Sequence, residues 1–456
     1  MIAMPLAILM FGSIVLALLD GTRRRNGWLA ALILFAATVA TINLGWDVYH
    51  NGTYSMAVGG WSQGIGITLR VDMVGIIFAV LCQVVLLASL VYEVVSDVGA
   101  RIFPALVLFL AVGLTGLTFT GDAFNFYVFF EISMITTYVL VNYGETPRQF
   151  RAAFVFITVN LLGSVLFLIG IAGIYHTTGF LDMVRIREQM PLVQENPAIL
   201  TATIIFVAFS VKLGLFPFHF WLPTVYTGTR PAVAAMLSGA LANIGTYGLI
   251  RFGLDIFPRE LEQASFVLLI LGAASIIYGG VQAVSRHSPA EVLAYSAIGQ
   301  VGYIMIALAF AGPLGLGAVI LYSVLNSLNK TVLFLSVSLR GWIATTAVAI
   351  GAFSVAGVPP VGGFFAKFVM FDLAIDEDSP ALVLLIFAGS VLSFVYMFQL
   401  YRRRVATPAE EPDHGIAVQS VSLIVALAII IIGVYPDPLL QLVQMAAESM
   451  PKGLTP

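Results

Sequence analysis

The chain has 456 residues, of which 60% are hydrophobic and 10% charged, with a mean hydropathy of +1.00. Soluble domains carry about 25% charged residues, so this composition excludes one and specifies a polytopic membrane protein. A formal net charge of −3 offers no basic surface for nucleic acid, and the single cysteine, Cys82, excludes an internal disulfide and a cysteine metal site.

Apolar runs of about 20 residues predict a helical span each. Fourteen such runs follow one another, over 2–19, 28–46, 71–95, 102–120, 122–143, 150–176, 199–221, 232–254, 263–285, 290–311, 314–339, 343–374, 381–401 and 418–435. The first lacks the basic start and small-residue cleavage site of a signal peptide and is kept as a span. Residues 47–70, with an NGT turn and a GGW, and residues 181–197, charged and interfacial, form the longer early connections. The last connection, Arg402 to His414, opens on three arginines and is rich in proline. Asp72 and Asp122 stand at helix starts, where a carboxylate meets the helix dipole, and both read as structural.

The arginines predict orientation. With Arg23, Arg24 and Arg25 in the cytoplasm, that side receives 12 basic residues and the other receives 6, which places both termini outside. Three basic residues remain, and all are lysines inside predicted spans: Lys212, Lys330 and Lys367. A lysine at membrane depth costs about 2.5–3.5 kcal/mol even on lenient scales, so each needs a partner, a wet cavity or a task.

Lys212 lies in AFSVKLGLFPFHFWLP, where Gly214 and Pro217 interrupt the run; Pro217 removes a backbone donor and opens the helix. The second half repeats the device in FSVAGVPPVGGFFAKF, with Pro359 and Pro360 shortly before Lys367. A charge beside a broken helix is how many transporters build a midplane site. Glu131 is the isolated acid, flanked by apolar residues in the fifth predicted span. Alone, a buried glutamic acid can simply hydrogen-bond a neighbouring helix. With buried lysines available, a titrating Glu131–Lys212 pair is expected instead, because attraction favours both charged forms and desolvation opposes them.

Lys330 is accompanied by Ser323, Asn326, Ser327 and Asn329, a polar stripe able to hold water; snorkelling to the interface is the competing reading. His219, two turns beyond Lys212, is a candidate relay group if the break does not rotate it, and otherwise a histidine that bonds a carbonyl. His287 falls in a loop and reads as solvated. There is no GxGxxG after a strand, Walker loop, CxxC or HExxH, so no cofactor and no metal is expected.

Four segments, TGDAFNFYVFFEISMITTYVLVNYG, FSVKLGLFPFHFWLP, LAYSAIGQVGY and FSVAGVPPVGGFFAKF, resemble the antiporter-like subunits of respiratory complex I, membrane-bound hydrogenases and Mrp-type multisubunit Na+/H+ antiporters. The first of them, with GGWSQGIGITLRVD, is most similar to the D subunit of the Mrp type. The resemblance covers nearly the whole chain. It implies an all-α membrane fold of about fourteen transmembrane helices in one membrane domain, with three N-terminal helices (1–100), two inverted five-helix repeats (101–254 and 263–402) and a last helix (418–435). Helices seven and twelve of that fold are broken, at Gly214 and Pro217 and at Pro359 and Pro360. It implies a proton relay of Glu131, Lys212, Lys330 and Lys367, other membrane subunits as partners, lipid around them, and protons with or without Na+ as cargo, in the cell membrane of a prokaryote.

Two departures stand out. Asn243, in SGALANIGTYGLIR, replaces the family's eighth-helix lysine, and Ser327 replaces its histidine before the eleventh-helix lysine. An amide does not titrate, so transfer past Asn243 would need water. With His219 and Asn326, these two are the candidate relay positions. The implied function is proton translocation as one subunit of an Mrp-like antiporter. Its alternatives are a subunit of a complex I-like or hydrogenase assembly, a non-conducting structural module, a redox enzyme, which the missing motifs oppose, and a stand-alone carrier.

Overall fold

In the computed structural model the chain is described over residues 2–61, 66–96, 100–144, 146–310, 312–406 and 415–449. Among these residues eleven helices are long and apolar enough to cross a membrane, and shorter apolar helices complete the series. In chain order they are α1 (Met4–Leu18), α2 (Arg24–Asn51), α3 (Met73–Val95), α4 (Phe103–Phe119), α5 (Ala123–Val141) and α6 (Pro147–Thr178). They continue with α7 (Glu195–Gly228), α8 (Pro231–Ile256), α9 (Ser265–Ser285), α10 (Pro289–Ala309) and α11 (Pro313–Ser336). The last are α12, in two arms (Trp342–Ala356 and Gly363–Asp376), α13 (Pro380–Ala406) and α14 (Ile416–Val434). Each of the fourteen expected runs thus holds a helix, eleven of them long enough to cross a membrane and three shorter.

Differences lie at the edges. The connection before α3 is not a plain loop: Tyr54–Ala57 pairs antiparallel with Thr68–Val71 in a two-stranded sheet. The charged stretch after α6 holds a short helix, Met183–Gln189, which Asp182 caps by accepting from the Val184 and Arg185 N–H groups. A further amphipathic helix, Asp437–Ser449, follows α14 and buries Val443, Ala446 and Ala447. Of the connection after α13, residues 407–414 lie outside the described residues.

Helix starts follow local chemistry. Asp72 caps α3 through the Gly75 N–H at 2.9 Å, and Asp122 caps α5 through the Asn125 N–H at 2.7 Å. Thr146 and Gln149 form a capping box ahead of Pro147 on α6. Arginines meet the negative ends of helices: Arg403 donates to the Arg286 carbonyl after α9, and Arg404 to the Val337 carbonyl after α11.

Helices α8, α10 and α11 are buried along 94% of their apolar stretches, whereas α13 is buried along 28%, so the former make the centre and the latter a rim. Aromatic rings of four helices fill the first half: Phe126 meets Phe252 at 5.3 Å and Phe167 meets Phe209 at 4.8 Å between centroids. In the second half α9 and α10 approach through small residues. A Cβ on Gly272 would lie 2.8 Å from the Gly302 carbonyl, so only glycine permits the contact.

Ion pairs fasten α8 to α3 at both ends, the first buried on both sides and the second with a partly exposed arginine. Asp72 pairs with Arg251, whose Nε donates to the Tyr247 hydroxyl at 2.8 Å, and that hydroxyl donates to the Thr118 carbonyl at 2.9 Å. Glu93 meets Arg230 at 3.2 Å, with the Arg230 guanidinium 4.8 Å over the Tyr143 ring. Burial pushes the Tyr143 phenol, between helices, up to about 12. The pairs are 21 positions apart on each partner, 72 to 93 and 230 to 251, as two antiparallel helices require. Midway, the Cys82 thiol donates to the Ala240 carbonyl at 3.6 Å.

Removing one member of a buried pair strands a charge in low dielectric, at a cost of about 3–5 kcal/mol. Arg251→Met should therefore lower the thermal midpoint of the detergent-solubilised protein clearly, while Asp72→Asn combined with Arg251→Met should recover most of the loss. Equal midpoints for the single variant and the parent would show that this pair does not hold the two helices.

Candidate functional site

The two breaks share one construction. Each reads Gly-x-x-Pro, from Gly214 to Pro217 and from Gly357 to Pro360, with a cis bond before the last proline. At Gly214 the backbone turns left-handed (φ 68°), and the Gly214 and Leu215 N–H groups return to the Val211 and Ser210 carbonyls. At Gly357 (φ 80°) the Gly357 and Val358 N–H groups return to Ser354 and Phe353 in the same pattern. Both first arms end in a Schellman cap, which satisfies the last carbonyls and requires a residue without Cβ strain.

Neighbouring helices complete each break. The Phe216 N–H donates to Ser275 Oγ of α9 at 3.0 Å, and the Gly362 N–H donates to the Ile429 carbonyl of α14 at 3.0 Å. Across each break a side chain of the second arm reaches a carbonyl of the first: Trp221 Nε1 to Val211 at 3.0 Å, and Lys367 Nζ to Ala356 at 3.2 Å. Lys212 is thus on the first arm of its helix, and Lys367 on the second arm of its own.

Among the described residues no carboxylate touches any of the three lysines. Lys212 Nζ donates to the Asn160 carbonyl at 2.8 Å, Ser164 Oγ at 3.2 Å and Met134 Sδ at 3.1 Å, and stands 4.3 Å from the Phe130 ring centroid. Lys330 Nζ donates to Ser296 Oγ at 2.8 Å and to the Leu293 carbonyl at 3.3 Å. All three are buried, Lys330 completely. Lysines that snorkel would show exposed ammonium groups, so the buried reading holds for each.

The expected Glu131–Lys212 ion pair is not closed: no nitrogen–oxygen contact within 4.0 Å joins them, although Glu131 lies within electrostatic reach. The reason is local. Three acceptors and a ring already occupy the ammonium, and Met134, one turn after Glu131, fills the contact. Glu131 is half-buried at the edge of an outward stripe of Phe124, Val128, Ile135 and Val139, and its Oε1 is buried without a hydrogen-bond partner.

His219 is not brought to Lys212, because the left-handed turn at Gly214 swings it away. Its ring packs at 5.3 Å on Phe216 and at 4.5 Å on Tyr278 of α9, and its buried Nδ1 has no hydrogen-bond partner. The stripe around Lys330 is also divided. Ser323 bonds its own helix, Asn326 and Asn329 line a cavity of about 10 Å³ with Gln300 and Lys367, and Ser327 points to α8. A second cavity of about 10 Å³ lies beside Lys212 and is lined by Asn160, Trp221, Leu237 and Leu241. Each is about one water in size. The Leu237–Leu241 segment of α8 is wound in a wide i→i+5 turn, a feature common at functional sites.

At the centre the two departures meet each other. Asn243 Nδ2 donates to Ser327 Oγ at 3.0 Å and to the Gly239 carbonyl at 2.8 Å, and Ser327 Oγ approaches Asn243 Oδ1 at 3.3 Å. A neutral amide–hydroxyl contact therefore joins α8 to α11, three residues from Lys330. Isolated charge and helix breaks do not point to Asn160, Ser164, Ser296, Gln300 or Tyr396. A usable signal exists in the sequence, since Asn160 with Ser164 and Ser296 with Gln300 are polar pairs at i, i+4 in apolar helices.

If the Asn243–Ser327 contact sets the α8–α11 junction, Asn243→Leu leaves the Ser327 hydroxyl without its partner and should cost about 1–3 kcal/mol, read as a lower thermal midpoint. Asn243→Leu with Ser327→Ala should regain part of it; a double variant no better than the single would deny the coupling.

The family described as NADH:quinone oxidoreductase/Mrp antiporter, TM matches residues 120–342. The D subunit of a Na(+)/H(+) antiporter of Alkalihalophilus pseudofirmus is 30% identical over 386 residues, covering 80% of this chain and 78% of that protein. Among solved structures, a chain of the Mrp complex from a Dietzia species superposes with a TM-score of 0.90 at 23% identity, covering 98% of this chain and 97% of its own. A chain of the membrane-bound sulfane sulfur reductase, an archaeal respiratory membrane complex, gives a TM-score of 0.89 at 25% identity, with 98% and 97% covered.

Proposed function

The chain belongs to the NADH:quinone oxidoreductase/Mrp antiporter family of membrane subunits, and we propose that it moves protons across the membrane as a D-type subunit of a cation/proton antiporter. It is an antiporter-like, ion-translocating membrane subunit. Three buried lysines held only by neutral acceptors carry the reading. An ammonium has three N–H donors and an amine two, so Lys330 and Lys367 can lose a proton and keep their contacts, while Lys212 keeps two of its three.

In this reading Glu131 hands protons to Lys212, the one-water cavity beside Lys212 leads toward Asn243, and Lys330 and Lys367 carry them through the second half. The two breaks supply polar backbone at membrane depth, where a continuous helix would offer none. The chain divides into three N-terminal helices, two inverted repeats and α14. Both termini lie on the outer side, by the arginine bias. Glu131, at the edge of an outward apolar stripe, calls for a neighbouring membrane subunit to cover it, since a carboxyl facing lipid is costly. The sodium of the relative's name comes to this chain as its proposed counter-ion.

A non-conducting module is the second reading, and the neutral Asn243–Ser327 junction favours it. Transport by the assembled complex in vesicles separates the two. Glu131→Gln keeps shape and loses titration, so it should slow proton movement by roughly 100-fold with assembly intact. Parental transport in that variant would remove Glu131 from the path. Asn243→Lys restores a titrating group at the junction and should keep or raise the rate if protons cross there; a rate unchanged in both Asn243→Lys and Asn243→Leu would place the route elsewhere.

A further inference from the structure

In the second half a hydrogen-bonded cluster joins Lys330 to Ser296, Gln300, Ser393 and Tyr396, which have no part in the relay described above. Lys330 Nζ donates to Ser296 Oγ of α10 at 2.8 Å, and Ser296 Oγ is 3.1 Å from the Tyr396 hydroxyl of α13. That hydroxyl also accepts from Gln300 Nε2 at 3.1 Å and donates to Ser393 Oγ at 3.3 Å. Ser296, Gln300, Ser393 and Tyr396 are all at least 96% buried. Beyond Ser393, the Tyr303 hydroxyl packs on Gly389, whose carbonyl accepts from Ser393 Oγ at 2.8 Å. The Tyr303 hydroxyl is buried without a hydrogen-bond partner, and the Lys367 ammonium stands 5.8 Å from the Tyr303 ring centroid.

We propose that the Tyr396 hydroxyl passes protons from Lys330 toward Lys367 by switching its single proton between Ser296 and Ser393. This rests on the reading that Lys330 carries protons. A phenol has one proton and two lone pairs. Gln300 occupies one lone pair, so the proton of Tyr396 must point either to Ser296 or to Ser393. In the forward step Lys330 gives a proton to Ser296 as Ser296 gives its own to Tyr396. Tyr396 then releases its proton to Ser393, Ser393 turns from the Gly389 carbonyl to give its own to Tyr303, and Tyr303 gives its proton to the neutral amine of Lys367. Each hydroxyl gains one proton and loses one, Lys330 ends as the neutral amine and Lys367 as the ammonium. The reset is rotation of the hydroxyls.

Gln300 decides the direction. Its Oε1 accepts from the Tyr322 hydroxyl while its Nε2 donates to Tyr396, so both ends of the amide are fixed. An amide does not titrate. The Tyr322 branch is therefore a dead end for protons, and the Ser393 branch is the open one.

The test uses the assembled complex in vesicles, with proton uptake read by an internal pH dye. Tyr396→Phe keeps the ring and removes only the hydroxyl; it should slow uptake by at least ~10-fold and enlarge the slowing in D2O. Ser296→Ala should be similarly slow, and Ser296→Thr, which keeps the hydroxyl, should retain more than half of the parental rate. The last pair also decides the matter if Tyr396→Phe does not assemble. Lys330→Met reports on the underlying reading: if it transports at the parental rate, that reading fails and this route with it. If Lys330→Met is inactive while Tyr396→Phe is parental, or if Ser296→Thr is as slow as Ser296→Ala, the relay through Tyr396 is overturned and the role of Lys330 stands.

Discussion

Everything in this molecule depends on how an ammonium group is kept inside a bilayer without a carboxylate. Lys212, Lys330 and Lys367 are each met by a backbone carbonyl, joined in the first two by a hydroxyl. Two of these carbonyls belong to intact helices, α6 and α10, and one is freed by a break. A full ion pair would hold the charge more tightly and resist its removal. Neutral acceptors leave both protonation states hydrogen-bonded, which suits the proposed role of these groups as proton carriers.

The rest of the architecture protects that arrangement. Two ion pairs stand at the two ends of α8, where Arg230 and Arg251 bind Glu93 and Asp72 beside α3. Between them α8 is wound in a wide turn, offers a small cavity to Lys212 and presents Asn243 to Ser327. The wide winding returns over Leu249–Ile256, so Arg251 makes its ion pair from an irregular segment as well. At the breaks α9 accepts the Phe216 N–H and α14 the Gly362 N–H, so these two freed backbone groups face protein.

The centre is the least usual part. Where the resemblance calls for a lysine and a histidine, the chain has an amide and a hydroxyl that bond each other. The amide and the hydroxyl satisfy each other there without a charge.

Hydropathy alone determined the number of spans, because a run of about 20 apolar residues has few other uses, and glycine and proline marked both breaks, because they cannot continue a helix. The isolation of the three lysines and Glu131 was equally legible. What the sequence left open was which groups meet. Lys212 and Glu131 share a charge complement but not a contact, since Met134, Asn160 and Ser164 occupy the ammonium first. His219 follows Lys212 at helical spacing, yet the left-handed turn at Gly214 turns it to Tyr278. The α3–α8 ion pairs and the Lys330–Ser296–Tyr396 cluster join residues 34 to 179 positions apart. Periodicity fixes the face a residue presents, and only packing decides which other face lies opposite.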